Sequence, residues 1–374
     1  MNAPSDAVAL DDKYTRHDGK VLINGAQALV RALILQRALD RRHGLNTAGY
    51  VSGYRGSPLG GVDQALWAAR SHVKAADITF QPGINEDLAA TAVWGTQQLK
   101  VMGEATVDGV FGMWYGKGPG VDRSGDPLKH GNYSGTHPNG GVLAVVGDDH
   151  PGKSSTIAHH SQQAFAAHSI PTLYPADAAE VVPFALLGWA MSRASGCWVG
   201  FKMVNETAEQ TMTSDFSLEG FEIQAHEPVE MPPEGVHFRG VFAPARDEQI
   251  VRRHRLPIVQ AFARANRIDR VTLGPARRQD GAGHGGQGWH DVRRACGRSV
   301  STRTVRMRSA WRCTRWVFSG RSSRRRCWPS PKANRNSASS KKRPLSSRRR
   351  PRHCSTTAPS ARASPARPMT RAHR

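Results

Sequence analysis

Residues 1–276 predict an α/β protein built on a doubly wound, mostly parallel sheet, and three observations carry that expectation. Short β-prone runs alternate with stretches of helical periodicity along the chain. The strongest strand candidates, GVFGMWY at 109–115 and GGVLAVVG at 140–147, are nearly continuous apolar runs, as expected of strands covered on both faces. Gly-rich loops recur at 53–61, 81–86, 115–141 and 147–155, and in open α/β sheets ligands sit at the carboxyl ends of the strands, where such loops fall.

Taken in order, residues 26–42 (AQALVRALILQRALDRR) have helical spacing, and 48–54 (AGYVSGY) reads as a strand running into a Gly/Pro turn. Residues 61–76 are helical again, ITFQ at 78–81 is a short strand, and 86–103 is the next helix. PTLYP at 171–175 is a brief strand, 177–195 carries a helical apolar stripe, and WVGFKMV at 198–204 is a strand. The 27-residue connection 115–141 is long enough in a compact domain to imply a function. From Asp215 to Pro275 the pattern weakens. EPVEMPPEG (227–235) reads as a linker, and 247–269 as an amphipathic helix leading into a further domain. The expected organisation is a flexible N-terminus at 1–20, a ligand-binding sheet domain at 21–215, and a linker with the start of a truncated second domain at 216–276.

A different kind of polymer begins at Arg277. The last 98 residues hold 27 of the chain's 52 Lys and Arg but two of its 30 acidic residues, so the body is near −3 and the tail near +25. Leu, Ile, Val and Phe together number six there, too few to offset chain entropy by burial. Four of the five cysteines (Cys296, Cys313, Cys327, Cys354) fall in this stretch at spacings that match no zinc or iron–sulfur pattern. The composition is that of a GC-rich gene translated out of frame. Ser339-Ser340-Lys341-Lys342 illustrates it, because Val-Val-Glu-Glu codons GTC GTC GAA GAA read one base late begin TCG TCG AAG. The tail 277–374 is therefore expected to be disordered; the alternative is a basic arm that neutralises nucleic-acid phosphates.

Other classes are excluded more simply. The start, MNAPSDAVALDDKY, is acidic and polar, unlike a signal peptide, and the longest apolar run, near 181–191, is far short of the ~20 residues of a membrane span. One cysteine in the body, Cys197, makes no disulfide framework. A cytoplasmic protein is expected.

The motifs have bland readings when taken singly. Gly147-Asp-Asp-His-Pro-Gly152-Lys153-Ser154 fits the phosphate-loop spacing and makes a nucleotide-binding protein the alternative function. Asp148 and Asp149 would face the phosphates with negative charge, however, and Pro151 removes a backbone donor. Glu86 in a first helical turn complements the helix dipole, Ser57 can cap a helix, and His159 and His160 read as a solvated helix face.

In series they say more. Tyr54-x-x-Ser57-Pro58-x-Gly60-Gly61, then Asn85-Glu86 at a helix start, then MWYGKGPGVDRSGDPLKH at 113–130, then Gly147-Asp-Asp-x-Pro-Gly-Lys-Ser-Ser155 resemble the amino-terminal region of the indolepyruvate ferredoxin oxidoreductase family. These are thiamine-diphosphate-dependent 2-oxoacid:ferredoxin oxidoreductases, and the likeness spans residues 20–275. GWHDVR at 288–293 resembles a brief return to the family's next domain.

The resemblance implies that 21–215 is the domain holding the aminopyrimidine half of thiamine diphosphate. Glu86 would be the catalytic carboxylate on the pyrimidine ring nitrogen, with Tyr54, Gly56, Pro58 and Asn85 beside the cofactor. Ser57 and Arg55 would meet the substrate's carboxylate; Arg55 stands where pyruvate enzymes often have Pro. The implied reaction is oxidative decarboxylation of an aryl-2-oxoacid of the indolepyruvate type, with ferredoxin as electron acceptor and coenzyme A taking the acyl group. The family's Gly-Asp-Gly…Asn motif for the diphosphate and Mg²⁺ is not found, nor is a cysteine cluster for its 4Fe-4S centres, so this chain is expected to bind neither metal. A homo-oligomer, or pairing with a diphosphate-binding domain, is implied. Neither a membrane nor a specific nucleic acid is an expected partner. On these grounds the purified chain assayed alone should show no 2-oxoacid-dependent reduction of ferredoxin or viologen.

Overall fold

The structure, a computed structural model, describes residues 9–101, 103–273, 281–291, 293–294, 312–315 and 318–319. After a single helical turn at Asp12–Thr15 come β1 (Asp18–Asn24), α1 (Gly25–Arg42), β2 (Thr47–Gly53), α2 (Gly61–Ala68), α3 (Arg70–Ala75), β3 (Ile78–Phe80) and α4 (Glu86–Gly95). Next are β4 (Gly109–Lys117), α5 (Gly118–Arg123), α6 (Gly125–Ser134), β5 (Val142–Asp148), α7 (Ser161–Ala167) and β6 (Thr172–Leu173). Then follow α8 (Ala178–Ser195), β7 (Val199–Val204), α9 (Asn205–Glu209) and β8 (Thr211–Ser217). α10 (Pro244–Ile250) runs through a π-helical turn at Val251–Arg255 into α11 (Leu256–Ala265). Four short strands close the described chain: β9 (Arg270–Leu273), β10 (Gly281–His284), β11 (Arg312–Arg315) and β12 (Phe318–Ser319).

The main sheet has the order β12-β6-β7-β5-β4-β2-β3. From β6 to β3 every neighbouring pair is parallel; β12 alone is antiparallel. β1 and β8 form a separate antiparallel pair. From β2 the chain moves outward to β3 and then returns to β4 on the other side of β2. That reversal is a topological switch point, and it opens a crevice at the carboxyl ends of β2 and β4.

Alternation along the strands builds two cores. In β5, Leu143 and Val145 join the larger core with α1, α2 and α8, while Val142, Ala144 and Val146 join a second with α4, α5 and α6. In β4, Phe111, Met113 and Tyr115 face the first and Trp114 the second. Capping sets the helix boundaries. Asn24 Oδ1 accepts from Gln27 N at 2.8 Å while Gln27 Oε1 accepts from Asn24 N at 3.1 Å, a capping box. Asp177 Oδ1 accepts from Ala179 N at 3.0 Å to start α8, which ends at Gly196 with φ +75.

Several elements differ from the sequence expectation. The long connection 115–141 contains α5 and α6, because Val121 and Leu128 are buried in the second core despite their glycine-rich surroundings. Within the stretch read as a flexible N-terminus, Tyr14 is packed in the main core. Within the stretch read as a linker and second domain, α11 places Val259 and Phe262 in that same core. Arg255 reaches back, donating to the carbonyls of Asn132 at 2.8 Å and Val236 at 2.7 Å, so a buried cation sits at the carboxyl end of α6. Trp289 of the GWHDVR segment is buried against Ala176, and His290 Nε2 lies 3.1 Å from Asp177 Oδ2. In the tail read as disordered, β10, β11 and β12 also lie among the described residues; the rest of that stretch lies outside them. Among the described residues no helix is long and apolar enough to cross a membrane.

One buried ion pair joins the two longest helices. Asp40, 1% exposed, receives both Arg193 guanidinium nitrogens, Nη1 at 2.6 Å and Nη2 at 2.8 Å, together with Thr47 Oγ1 at 2.6 Å and Gln36 Nε2 at 2.8 Å. Arg193→Met would leave a buried carboxylate without its cation. The expected loss is about 3–5 kcal/mol in a denaturant melt.

Candidate functional site

Four loops gather at the carboxyl edge of the sheet, at the ends of β2, β3, β4 and β5. Glu86 opens α4, whose first turn is capped by Asn85 Oδ1 accepting from Leu88 N at 2.9 Å. Its backbone is fixed from the second core, where Trp114 Nε1 donates to the Glu86 carbonyl at 2.9 Å. The residue is 7% exposed although it begins a helix at the sheet edge. Its side chain lies against the turn that ends β4: a Cβ built on Gly120 would stand 2.6 Å from Glu86 Cγ and 2.9 Å from Oε1, and one on Gly116 would stand 3.3 Å from Cγ. The carboxylate thus occupies a cradle left by two missing side chains. No ion pair or side-chain hydrogen bond engages that carboxylate among the described residues.

The turn 54–58 lies beside it. Tyr54 continues the strand pairing, its N–H donating to the Tyr115 carbonyl at 3.0 Å, while its ring is partly exposed. Arg55 is exposed and makes no hydrogen bond or ion pair among the described residues. The Lys117 side chain lies across Gly56, and Pro58 packs on Gly147. Below the turn, the buried Tyr115 hydroxyl donates to Asp63 Oδ1 at 2.6 Å. Burial, and then that bond to Asp63, raise its pKa well above the ordinary phenol value, with Arg55 pulling the other way.

Ser57 is drawn toward the loop after β5. Its hydroxyl donates to Asp149 Oδ2 at 2.8 Å and lies 2.8 Å from Ser154 Oγ; Ser57 N donates to Ser154 Oγ at 3.0 Å. Lys117 Nζ donates to the Ser154 carbonyl at 3.0 Å, which ties the end of β4 to the same loop. The two adjacent aspartates part company. Asp148 turns inward, 3.0 Å from Lys202 Nζ, and accepts from Ser161 N at 2.9 Å, so it caps α7. Asp149 turns to Ser57.

These contacts remove the phosphate-loop expectation. Lys153 Nζ donates to Asn205 Oδ1 at 2.8 Å, and the loop is followed by one 3₁₀ turn at Lys153–Ser155 before α7 begins at Ser161. No helix N-terminus stands behind the loop to present a series of N–H groups to phosphate. His159 and His160 also depart from the expected helix face: both precede α7, and His159 lies over Gly118 with Nε2 3.8 Å from Asp122 Oδ2.

The structure therefore sets the turn 54–58 against Tyr115, Lys117 and Gly147 at the ends of β4 and β5, and the Glu86 side chain, behind its Asn85 cap, against Gly116 and Gly120. Sequence reasoning missed Gly120, Asp149 and Ser154. The motif comparison included them, but no periodicity marks which of two neighbouring aspartates faces the turn. Among the described residues no group of His, Cys, Asp and Glu could hold a metal ion.

No protein-family model matches the chain, and no curated protein matches it. Among solved structures it is similar to a 2-oxoglutarate:ferredoxin oxidoreductase from Magnetococcus marinus with 2-oxoglutarate, coenzyme A and succinyl-CoA bound, at 15% identity and a TM-score of 0.60. The match covers 84% of this chain and 55% of that one, so this chain spans about half the length of the structure it resembles. At that identity the likeness establishes the fold: an α/β domain with a mostly parallel sheet.

The glycines separate two kinds of crowding. A Cβ at Gly25 would meet the Thr207 carbonyl oxygen at 2.0 Å, rigid backbone that cannot yield, whereas at Gly120 the obstacle is the end of the Glu86 side chain. In thermal melts Gly25→Ala should cost about 3 kcal/mol and Gly120→Ala under about 1.5 kcal/mol, the second moving the Glu86 carboxylate instead of unfolding the chain.

Proposed function

We propose that this chain is the aminopyrimidine-side part of a cytoplasmic, thiamine-diphosphate-dependent 2-oxoacid:ferredoxin oxidoreductase acting on an aryl-2-oxoacid, with coenzyme A as acyl acceptor. The observation that carries the reading is Glu86, a nearly buried carboxylate held at a helix start in a cradle of two glycines, at the switch point of a parallel sheet. The order of motifs and the fold of the solved neighbour support the same reading.

The cradle fits the group. A carboxylate that is buried without an ion pair is costly unless a ligand supplies a hydrogen-bond donor. A protonated ring nitrogen of an aminopyrimidine is such a donor. Glu86 would share its proton. Asn85 holds the helix start in place, Gly116 and Gly120 leave room for the Glu86 side chain, and the turn 54–58 would meet the substrate's carboxylate. Tyr54 presents an aromatic face at the rim. Thiamine diphosphate, when bound, supplies the nucleophilic carbon and the electron sink for decarboxylation. Its diphosphate and Mg²⁺, and the 4Fe-4S centres of the complete enzyme, would be held by a partnering domain outside this chain.

Thiamine diphosphate titrated calorimetrically into the purified chain should bind, and Glu86→Gln should weaken binding by about tenfold or more, since a carboxylate bond to a charged donor is worth about 1.5–3 kcal/mol. Equal affinities for the two proteins would sink the assignment.

A further inference from the structure

We propose that the turn 55–58 divides its work between two side chains: Arg55 receives the carboxylate of the 2-oxoacid, and Ser57, tied to Asp149, holds the turn that presents it. This deepens the thiamine reading above and rests on it.

A serine hydroxyl has one donor and two acceptor positions. At Ser57 all three are taken. The O–H donates to Asp149 Oδ2 at 2.8 Å, and the oxygen accepts from Ser154 N at 3.2 Å and from the Ser154 hydroxyl at 2.8 Å. An ionised Asp149 can only accept, which fixes the direction of the first bond and makes Ser154 the donor in the last. Ser57 has no proton left for a ligand. Charge argues the same way. Asp149 is 1% exposed, its Oδ1 has no hydrogen-bond partner, and no cation pairs with it among the described residues. A substrate carboxylate drawn to Ser57 would stand beside that charge.

Arg55 has the complementary properties. It is exposed at the mouth of the crevice and unpaired among the described residues, and its charge is felt by Tyr115 at the end of β4. A guanidinium binds a carboxylate through two parallel bonds, which fixes orientation as well as position. The serine hydroxyl shares the anchoring of that turn with other contacts: Ser57 N donates to Ser154 Oγ at 3.0 Å, Lys117 Nζ holds the Ser154 carbonyl at 3.0 Å, and Pro58 packs on Gly147, so its loss loosens the turn without releasing it. Asp149 and Ser57 are thus positioning residues, and Arg55 is the one that meets substrate.

The test titrates phenylpyruvate into the full chain by calorimetry, with phenylacetaldehyde as a probe lacking the carboxylate. Arg55→Ala should weaken phenylpyruvate by about tenfold or more with no effect on the aldehyde, Arg55→Lys should recover part of the loss, and Ser57→Ala should change affinity by less than about threefold. Ser57→Ala and Asp149→Ala should each lower Tm, with the double variant losing less than the two combined, because both remove the same bond. A tenfold loss on Ser57→Ala with Arg55→Ala silent overturns the assignment, as does a wild-type chain that takes up no phenylpyruvate. Thiamine diphosphate binding to the same proteins separates the two levels. If it persists and depends on Glu86 while Arg55→Ala is silent, this division of labour fails and the cofactor reading stands. If the wild-type chain binds no cofactor, the cofactor reading fails.

Discussion

Six parallel strands covered by helices on both faces leave a protein few places for chemistry. The apolar side chains along the strand interiors are committed to one of two cores, and the backbone hydrogen bonds are spent in the ladders. Polar groups can be presented only where strands end and the chain turns. Parallel pairing puts all the carboxyl ends on one edge, so the loops after β2, β3, β4 and β5 meet whatever their sequences. The reversal between β3 and β4 then parts two of those loops and opens the crevice.

Several buried charges obey the same rule. Asp40 is neutralised by Arg193, Asp148 by Lys202, and Arg255 is surrounded by carbonyls at the end of α6. Each joins elements distant in sequence, and each is satisfied within the protein. Glu86 and Asp149 break the pattern. Both are carboxylates taken from water without a cation, and both lie at the crevice. A protein bears that cost where a ligand or a fixed turn gives something back.

Much of the architecture was legible in the chain. The strands at 109–117, 142–148 and 199–204 carry runs of apolar residues that only a doubly covered sheet accommodates, and α1 and α8 have helical stripes with caps at either end. The helices inside 115–141 were not legible, because glycine and proline dominate locally and the burial of Val121 and Leu128 depends on a core assembled from distant segments. The amphipathic stretch around 256–265 posed a related difficulty: its apolar face is plain, but not which core receives it.

The site divides along the same line. Local sequence alone determined that Glu86 begins a helix after a short strand and that a Ser-Pro turn follows β2, since these are properties of contiguous residues. Only the tertiary structure decided that Gly120 makes room for the Glu86 carboxylate, and that Asp148 turns inward to Lys202 while Asp149 takes the Ser57 hydroxyl. The reason is physical. A hydrogen bond between residues 57 and 149 exists because β2 and β5, on either side of β4, end at the same edge of the sheet, and strand order is a result of packing the whole sheet rather than of any segment within it.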